Sequence, residues 1–423
     1  MAARRSRDKA ASSKSAAIAR KSAWPAWPIH GAVERKALLE VLESGKWWNG
    51  SKCREFEEKF ATFQGAKYGV VANSGSMALL AALLGMGIQA GDEVILPPYT
   101  FMASASAVVM ANAIPVFADI LPDTLCIDPD DVERKITPRT KIIMPVHLAG
   151  YVADMDRLSA IAKKYKLMIL EDACHSWGSR WKRKGTGALG DCGAFSFQFS
   201  KNITSAEGGI VLTDDEKLAD AIRARTNCGR TKNSAWYQHD VLGTNWRLTE
   251  FQAALLLAQL PRLEKQTLTR QSNAKILDKG LSKIPGIVML KGDKRMTRRG
   301  YHLYCFRIDE AKLGMNRQLF LQLLRAEGGP ASEGYALPLY QYGFFKSSRG
   351  MTPSLAPFVA QHVDYSRVSC PVCEQVCRDT VWLGQSILLA ATARMRQIVE
   401  AVVKVSKPTQ WRETQGMGNR VKG

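Results

Sequence analysis

Two stretches decide the fold of this chain: LMILEDACHS at residues 167–176 and FSFQFSKNITSAEGG at residues 195–209. The first is an apolar run of strand length that delivers Glu171, Asp172 and His175 at its carboxyl end. The second reads as a short alternating strand, a polar break carrying Lys201, and then Glu-Gly-Gly opening a further strand, GGIVLT. A lysine and an aspartate at the mouths of neighbouring strands suit pyridoxal phosphate. The amine forms a Schiff base with the cofactor's aldehyde, and the carboxylate keeps the pyridine nitrogen protonated. Either residue alone reads more simply as a surface lysine or a strand-ending aspartate. Their convergence, with the motifs around them, favours the cofactor.

Outward from these stretches, strands and helices alternate from Ala66 to about Arg225. NSGSMALLAALLGMG (73–87) opens with small residues and continues as a helix, and EVILP (93–97) is a strand. FMASASAVVMANA (101–113) is a helix, IPVFADI (114–120) a strand and DPDDVERKI (128–136) a short helix. KIIMPVHLAG (141–150) follows as a strand and DMDRLSAIAKKYK (154–166) as a helix. This order predicts right-handed crossovers and a mostly parallel central sheet with helices on both faces, an α/β fold. Ligands of such sheets lie beyond the carboxyl ends of the strands. Asn73 to Ser76, Pro97 to Phe101, His147, Asp172 and Lys201 are all expected there. A long helix from Thr249 to about Ala274 leads into strands GIVMLK and YHLYCFRI of a smaller C-terminal α/β domain. The expected layout is a disordered basic tail (1–22), a large cofactor-binding domain (23–274), a small domain (275–403) and a second basic tail (404–423).

The chain has 423 residues, 46% of them hydrophobic, and a net charge of +20. Length and hydrophobic fraction are those of a soluble globular protein of two or three domains. Residues 1–22 hold seven Lys/Arg against one Asp, and residues 404–423 five against one Glu, which leaves about +10 on the body. Such a body suits an anionic cofactor or substrate. No run is long and apolar enough to span a membrane. No zinc finger or aromatic-rich RNA-binding strand points to nucleic acid, and no Gly-x-Gly-x-x-Gly opens a first helix to hold a dinucleotide. The basic, Ala/Ser-rich amino terminus lacks the apolar stretch of a secretory signal, although organellar transit peptides share its composition. Nine cysteines, an odd number, read as reduced thiols in the cytoplasm. Cys370, Cys373 and Cys377 resemble half of a zinc site. No second pair with zinc spacing follows, and VCEQVCRDTVWL (372–383) reads as an amphipathic helix, so no metal is expected.

Other residues gain meaning from Lys201 and Asp172. Gly75 and Ser76 open a helix whose N–H groups and dipole can receive a phosphate, although a serine there is usually just a cap. Ser196 alternates on the strand leading to Lys201 and offers another hydroxyl; otherwise it is a strand serine facing a helix. Phe101, just after PPYT, can lie on a cofactor ring or simply open an apolar helix as a core residue. His175 is placed to bond the ring hydroxyl, against the default of a satisfied buried histidine.

The chain resembles the DegT/DnrJ/EryC1/StrS family of pyridoxal phosphate-dependent sugar and cyclitol aminotransferases, of fold type I. The match runs from about Trp24 to Trp382 and is strongest in six segments. These are ANSGSMALLAAL (72–83), GDEVILPPYTFMAS (91–104), PVHLAG (145–150), EDACHSWGSRWKRKGTGALGD (171–191), AFSFQFSKNITSAEGG (194–209) and GTNWRLTEFQAALLLAQL (243–260). The resemblance implies Lys201 as the Schiff-base lysine, Asp172 as partner of the pyridine nitrogen, His175 at the ring oxygen and Phe101 stacked on the ring. It implies Gly75, Ser76 and Ser196 as phosphate ligands. Asn245 matches an asparagine that reaches the phosphate of the neighbouring subunit, which implies a homodimer with shared active sites. Some relatives replace the lysine with histidine and act as dehydratases; this chain keeps it.

The resemblance therefore implies ping-pong amino transfer from glutamate or glutamine to a ketone. Relatives acting on nucleotide sugars commonly carry His-Tyr-x-Pro-Leu-His in the small domain, whereas residues 334–340 here read GYALPLY. Together with WPAWP, SGKWWNG and TNCGR, this is more similar to the branch that aminates scyllo-inosose or makes aminohydroxybenzoate. A cyclitol or free-sugar ketone is the expected acceptor. A nucleotide ketosugar, and a dehydratase or aromatising synthase, are the alternatives.

Overall fold

The computed structural model describes residues 24–407 apart from Asn49, Trp236 and residues 347–363. The amino-terminal tail and residues 408–423 of the carboxyl-terminal one lie outside the described residues.

Nine strands come first: β1 (Tyr68–Ala72), β2 (Glu93–Leu96), β3 (Ile114–Phe117), β4 (Thr140–Ile143), β5 (Met168–Asp172), β6 (Arg180–Trp181), β7 (Lys184–Gly185), β8 (Cys192–Ser196) and β9 (Gly209–Thr213). Seven of them form a sheet in the order β1-β9-β8-β5-β4-β2-β3. Within it β9 runs antiparallel to β1 and β8, and the other four pairings, from β8 across to β3, are parallel, so six strands point the same way. The sheet is mostly parallel, as expected. Side chains alternate between its faces. Ala72, Ala194 and Val211 enter one core beneath helix Gly75–Gly85, while Val71, Phe195, Ile210 and Leu212 enter another beneath helix Ser51–Gln64. In the second core Phe60 meets Phe195 and Phe197 edge-on, with centroids 5.1 and 5.3 Å apart. These contacts hold β8 so that Ser196 faces the opposite side, toward the start of helix Gly75–Gly85.

Downstream, β10 (Ile287–Met289), β12 (Leu303–Ile308), β13 (Ala331–Glu333) and β14 (Thr380–Gly384) form an antiparallel sheet in the order β10-β12-β14-β13. β11 (Met296–Arg298) pairs instead with β6. Three boundaries differ from expectation. The strand predicted over 141–150 stops at Ile143, because Pro145 has no N–H for the ladder, and a loop carries His147 onward. The long helix is Glu250–Leu281 and continues past Ala274. Leu277 and Leu281 are buried there, and Gly280 is accommodated because Val399 fills the space a Cβ would take, 2.6 Å away. The helix predicted over 372–383 ends at Asp379, and Thr380–Gly384 is the strand β14.

The carboxyl end of β5 is tied down by Glu171, which is completely buried. Its Oε1 accepts from the N–H groups of Leu189 and Gly190 at 2.6 and 2.7 Å. Its Oε2 accepts from Gly187 N–H at 2.7 Å and lies 2.8 Å from His147 Nε2. His147 Nδ1 accepts from Ala153 N–H at 3.2 Å, so the neutral ring carries its proton on Nε2 and donates to Glu171. Glu171→Ala leaves these buried donors without an acceptor and is expected to cost roughly 3 kcal/mol or more of stability. Urea unfolding of the variant against the parent checks this.

Candidate active site

A cavity of about 800 Å³ opens beyond the carboxyl ends of β5 and β8. Asp172 closes β5 and pairs with Ala194 of β8. Its Oδ2 accepts from Ser104 Oγ at 2.7 Å, and Ser104 Oγ is 2.8 Å from Thr100 Oγ1. Its Oδ1 accepts from Cys174 N–H at 3.1 Å. The carboxylate is therefore fixed and lines the cavity, with a row of hydroxyls behind it.

Lys201 follows a turn in which its own N–H donates to Gln198 O at 2.9 Å. The strand predicted to run through Phe199 ends at Ser196, and this turn carries the lysine back over the sheet edge. Its Nζ lies 5.7 Å from the ring centroid of Trp177, which is fully buried. Burial holds the amine below the usual lysine range, while Cys174 and Asp172 act in the other direction. The neutral amine is the form able to attack a carbonyl or take a proton.

His175 lines the same cavity, and its Nδ1 is buried with no partner among the described residues. Burial, and after it the charge of Lys201, holds its pKa well below the ordinary value. Its ring centroid is 4.3 Å from that of His302, another buried histidine. Asn202 fixes His302: its Nδ2 donates to Gly300 O at 2.9 Å, which leaves Oδ1 facing His302 Nδ1 at 3.2 Å. Burial pushes His302 well below the ordinary histidine pKa, with His175, Lys201 and Arg270 adding to the effect.

At the other side of the cavity, Ser74 caps helix Gly75–Gly85 by accepting from Met77 N–H at 3.2 Å. The first N–H groups of such a helix have no acceptor within it, and Gly75 and Ser76 line the cavity. A Cβ on Gly75 would stand 2.6 Å from that of Ser196, so glycine is what lets helix and strand approach this closely. Phe101 is 61% exposed at the mouth, which excludes the core reading. Seven of the eight residues singled out from the sequence thus border one cavity. Asn245 does not: it is exposed, outside this lining, and its Oδ1 accepts from Arg247 N–H at 3.4 Å. Trp27, Ser104, Trp177, His302, Trp382 and Gln385 escaped the sequence reading. Ser104 carried a signal, standing four residues after Thr100 in the first turn of a helix beside the sheet edge. Trp177 stands just after His175 in the segment 171–191, while Trp27, His302, Trp382 and Gln385 come from distant segments.

Residues 28–403 match the DegT/DnrJ/EryC1/StrS aminotransferase family. The chain belongs to that family. It is 37% identical to the L-glutamine:2-deoxy-scyllo-inosose aminotransferase of Streptomyces fradiae over 90% of its own length and 94% of the relative's. A solved 3-amino-5-hydroxybenzoic acid synthase superposes with a TM-score of 0.80 at 33% identity, covering 90% of this chain and 98% of that one. NtdA from Bacillus subtilis, solved with bound PMP, gives 0.76 at 26% identity, covering 89% and 82%. The aminotransferases of this family, and so this enzyme, depend on pyridoxal phosphate. The site fits that group, having an unpartnered buried ring nitrogen at His175, a fixed carboxylate at Asp172 and a helix N-terminus at Gly75 for an anion.

His175 and His302 are held neutral in the folded chain, whereas an unfolded histidine takes a proton near pH 6.5. Below that pH the unfolded state binds more protons, so stability is lost as pH falls from about 6.5 toward the lower folded values. The loss approaches ~1.4 kcal/mol per pH unit for each histidine. Urea titrations of the cofactor-free protein should show this slope, and His302→Phe should remove about half of it.

Proposed function

We propose that this aminotransferase moves an amino group from glutamine or glutamate to a ketone of a cyclitol or sugar, in two half-reactions sharing one site. The observation that carries the reading is the meeting of Lys201, Asp172 and His175 in a single cavity of a chain similar to an inosose aminotransferase. Gly75, Ser76 and Ser196 would hold the phosphate, Asp172 would keep a proton on the pyridine nitrogen, His175 would meet the ring oxygen and Phe101 would cover the ring. Bound there, the cofactor supplies an electron sink for charge at the donor's α-carbon. Lys201 Nζ, whose burial favours the uncharged amine, takes the proton from that carbon. The Asp172 carboxylate stays in register because Ser104 and the Cys174 N–H occupy it from behind.

Asn245 reaches the phosphate held by a second subunit, so the active form is a homodimer with shared sites. Its exposure and its position outside its own cavity support that role. The nine free cysteines suit the reducing cytoplasm. A second reading, an aromatising synthase, draws on the likeness to 3-amino-5-hydroxybenzoic acid synthase and shares every one of these residues.

The test is the visible spectrum of the protein with pyridoxal phosphate, before and after L-glutamine or L-glutamate. The lysine-bound cofactor should absorb in the visible and bleach with a donor, and keto-cyclitols should restore the colour. Lys201→Ala should abolish the starting absorbance. Colour that ignores both donors would favour the synthase. For the dimer, Lys201→Ala and Asn245→Ala chains mixed after unfolding should recover activity, up to about a quarter of the parent's if sites are shared. No recovery would place Asn245 within its own subunit's function.

A further inference from the structure

Arg270, on the long helix, is completely buried, and no carboxylate among the described residues pairs with it. Its Nε and Nη2 donate to the carbonyl oxygen of Gln385 at 3.3 Å and to Gln385 Oε1 at 2.6 Å. Its Nη1 has no partner among the described residues. The ring of Trp27 lies 6.0 Å from the guanidinium carbon, and Trp27 Nε1 donates to Phe199 O at 2.8 Å, in the turn before Lys201. Burial pushes the guanidinium pKa down to about 9, which still leaves it charged at neutral pH. A buried cation without a counter-ion destabilises the fold that holds it.

The orientation of Gln385 follows from this neighbour. A guanidinium can only donate, so it takes the amide oxygen and turns the amide nitrogen away. Gln385 itself lines the cavity, and its Nε2 is 3.5 Å from Ser200 O, next to Lys201 in the chain. The wall beside the Lys201 turn therefore presents an amide N–H backed by an uncompensated positive charge.

We propose that Gln385, oriented and polarised by Arg270, binds the α-carboxylate of the amino donor. The proposal rests on the aminotransferase reading above. A carboxylate on the carbon that bears the amine must lie close to the group that Lys201 serves, whereas a cyclitol ketone brings no anion to this wall. Arg270 also has a purely structural role to be separated from this one. It and Asn273 lie on one face of the helix, and Asn273 Nδ2 donates to Leu388 O and Ala390 O, both at 2.8 Å, clamping the same turn.

The experiment uses the cofactor-loaded protein and measures three quantities: the rate of bleaching by L-glutamine, the affinity for cofactor and the melting temperature. Gln385→Ala and Arg270→Gln should slow bleaching roughly tenfold to a hundredfold with cofactor affinity unchanged. Asn273→Ala should lower the melting temperature and leave the bleaching rate alone. Gln385→Glu is the sharpest variant, because it gives Arg270 its missing counter-ion while setting a negative charge against the donor. Its melting temperature should rise while its bleaching rate falls. A Gln385→Glu protein that is more stable and bleaches normally would overturn the proposal, as would a normal rate in Gln385→Ala. The two Gln385 variants decide the matter even if Arg270→Gln does not fold. A parent protein that bleaches with neither glutamine nor glutamate would instead remove the aminotransferase reading, and this proposal with it.

Discussion

The buried carboxylate of Glu171 is the constraint on which the site depends. It occupies the penultimate position of β5, and its oxygens take up three backbone N–H groups from 187–190 and the ring of His147. Two loops from different parts of the chain are thereby tied to one strand end. Because side chains alternate along a strand, fixing Glu171 on one face sends Asp172 to the other, into the cavity. His147 N–H then donates to Asp172 O at 3.0 Å, so the backbone of the aspartate is held by the same loop that its neighbour anchors. The position of the reactive face is thus set by a group that never touches it.

The chemistry of Lys201 arises by a similar indirect route. Its amine is not depressed by a neighbouring cation; Cys174 and Asp172 favour its charged form, and burial against Trp177 outweighs them. Trp177 is held in turn by the apolar cluster that also contains Phe195 and Phe197. Phe195 of β8 and Phe197 just beyond it therefore act on the lysine twice, once by fixing the strand that leads to it and once by supporting the wall that dries it.

Much of this was legible in the sequence for a definite reason. In a parallel sheet the ligand edge follows from strand order, so any polar residue ending an apolar run is a candidate. Gly75, Ser76, Phe101, Asp172 and Lys201 could be placed on strand order, His175 and Ser196 by their spacing from Asp172 and Lys201, and the likeness of six segments to one family narrowed the chemistry. His302 and Gln385 were not legible. Each sits at the end of a strand in the antiparallel C-terminal sheet, where no rule says which edge will close on a cavity formed more than a hundred residues earlier. The TVWL stretch of β14 failed for a related reason. The buried cysteines of the preceding helix repeat at helical spacing almost to Asp379, and only pairing with β12 turns the following residues into a strand.

The division between the legible and the hidden residues matches a division of labour. Residues on the large sheet and on the helix that starts at Gly75 face the group that this family shares. Residues delivered from the C-terminal region, His302, Trp382 and Gln385 among them, complete the remaining wall. Two of these three answer to buried groups with their own electrostatic demands, His302 to Asn202 and Gln385 to Arg270. An unpaired guanidinium inside the fold is costly enough that ordinary packing would replace it with an apolar side chain at little loss. Its position behind a cavity-lining amide gives the charge something to act on, and a carboxylate entering with the amino donor is the partner we propose for it, since none among the described residues pairs with it.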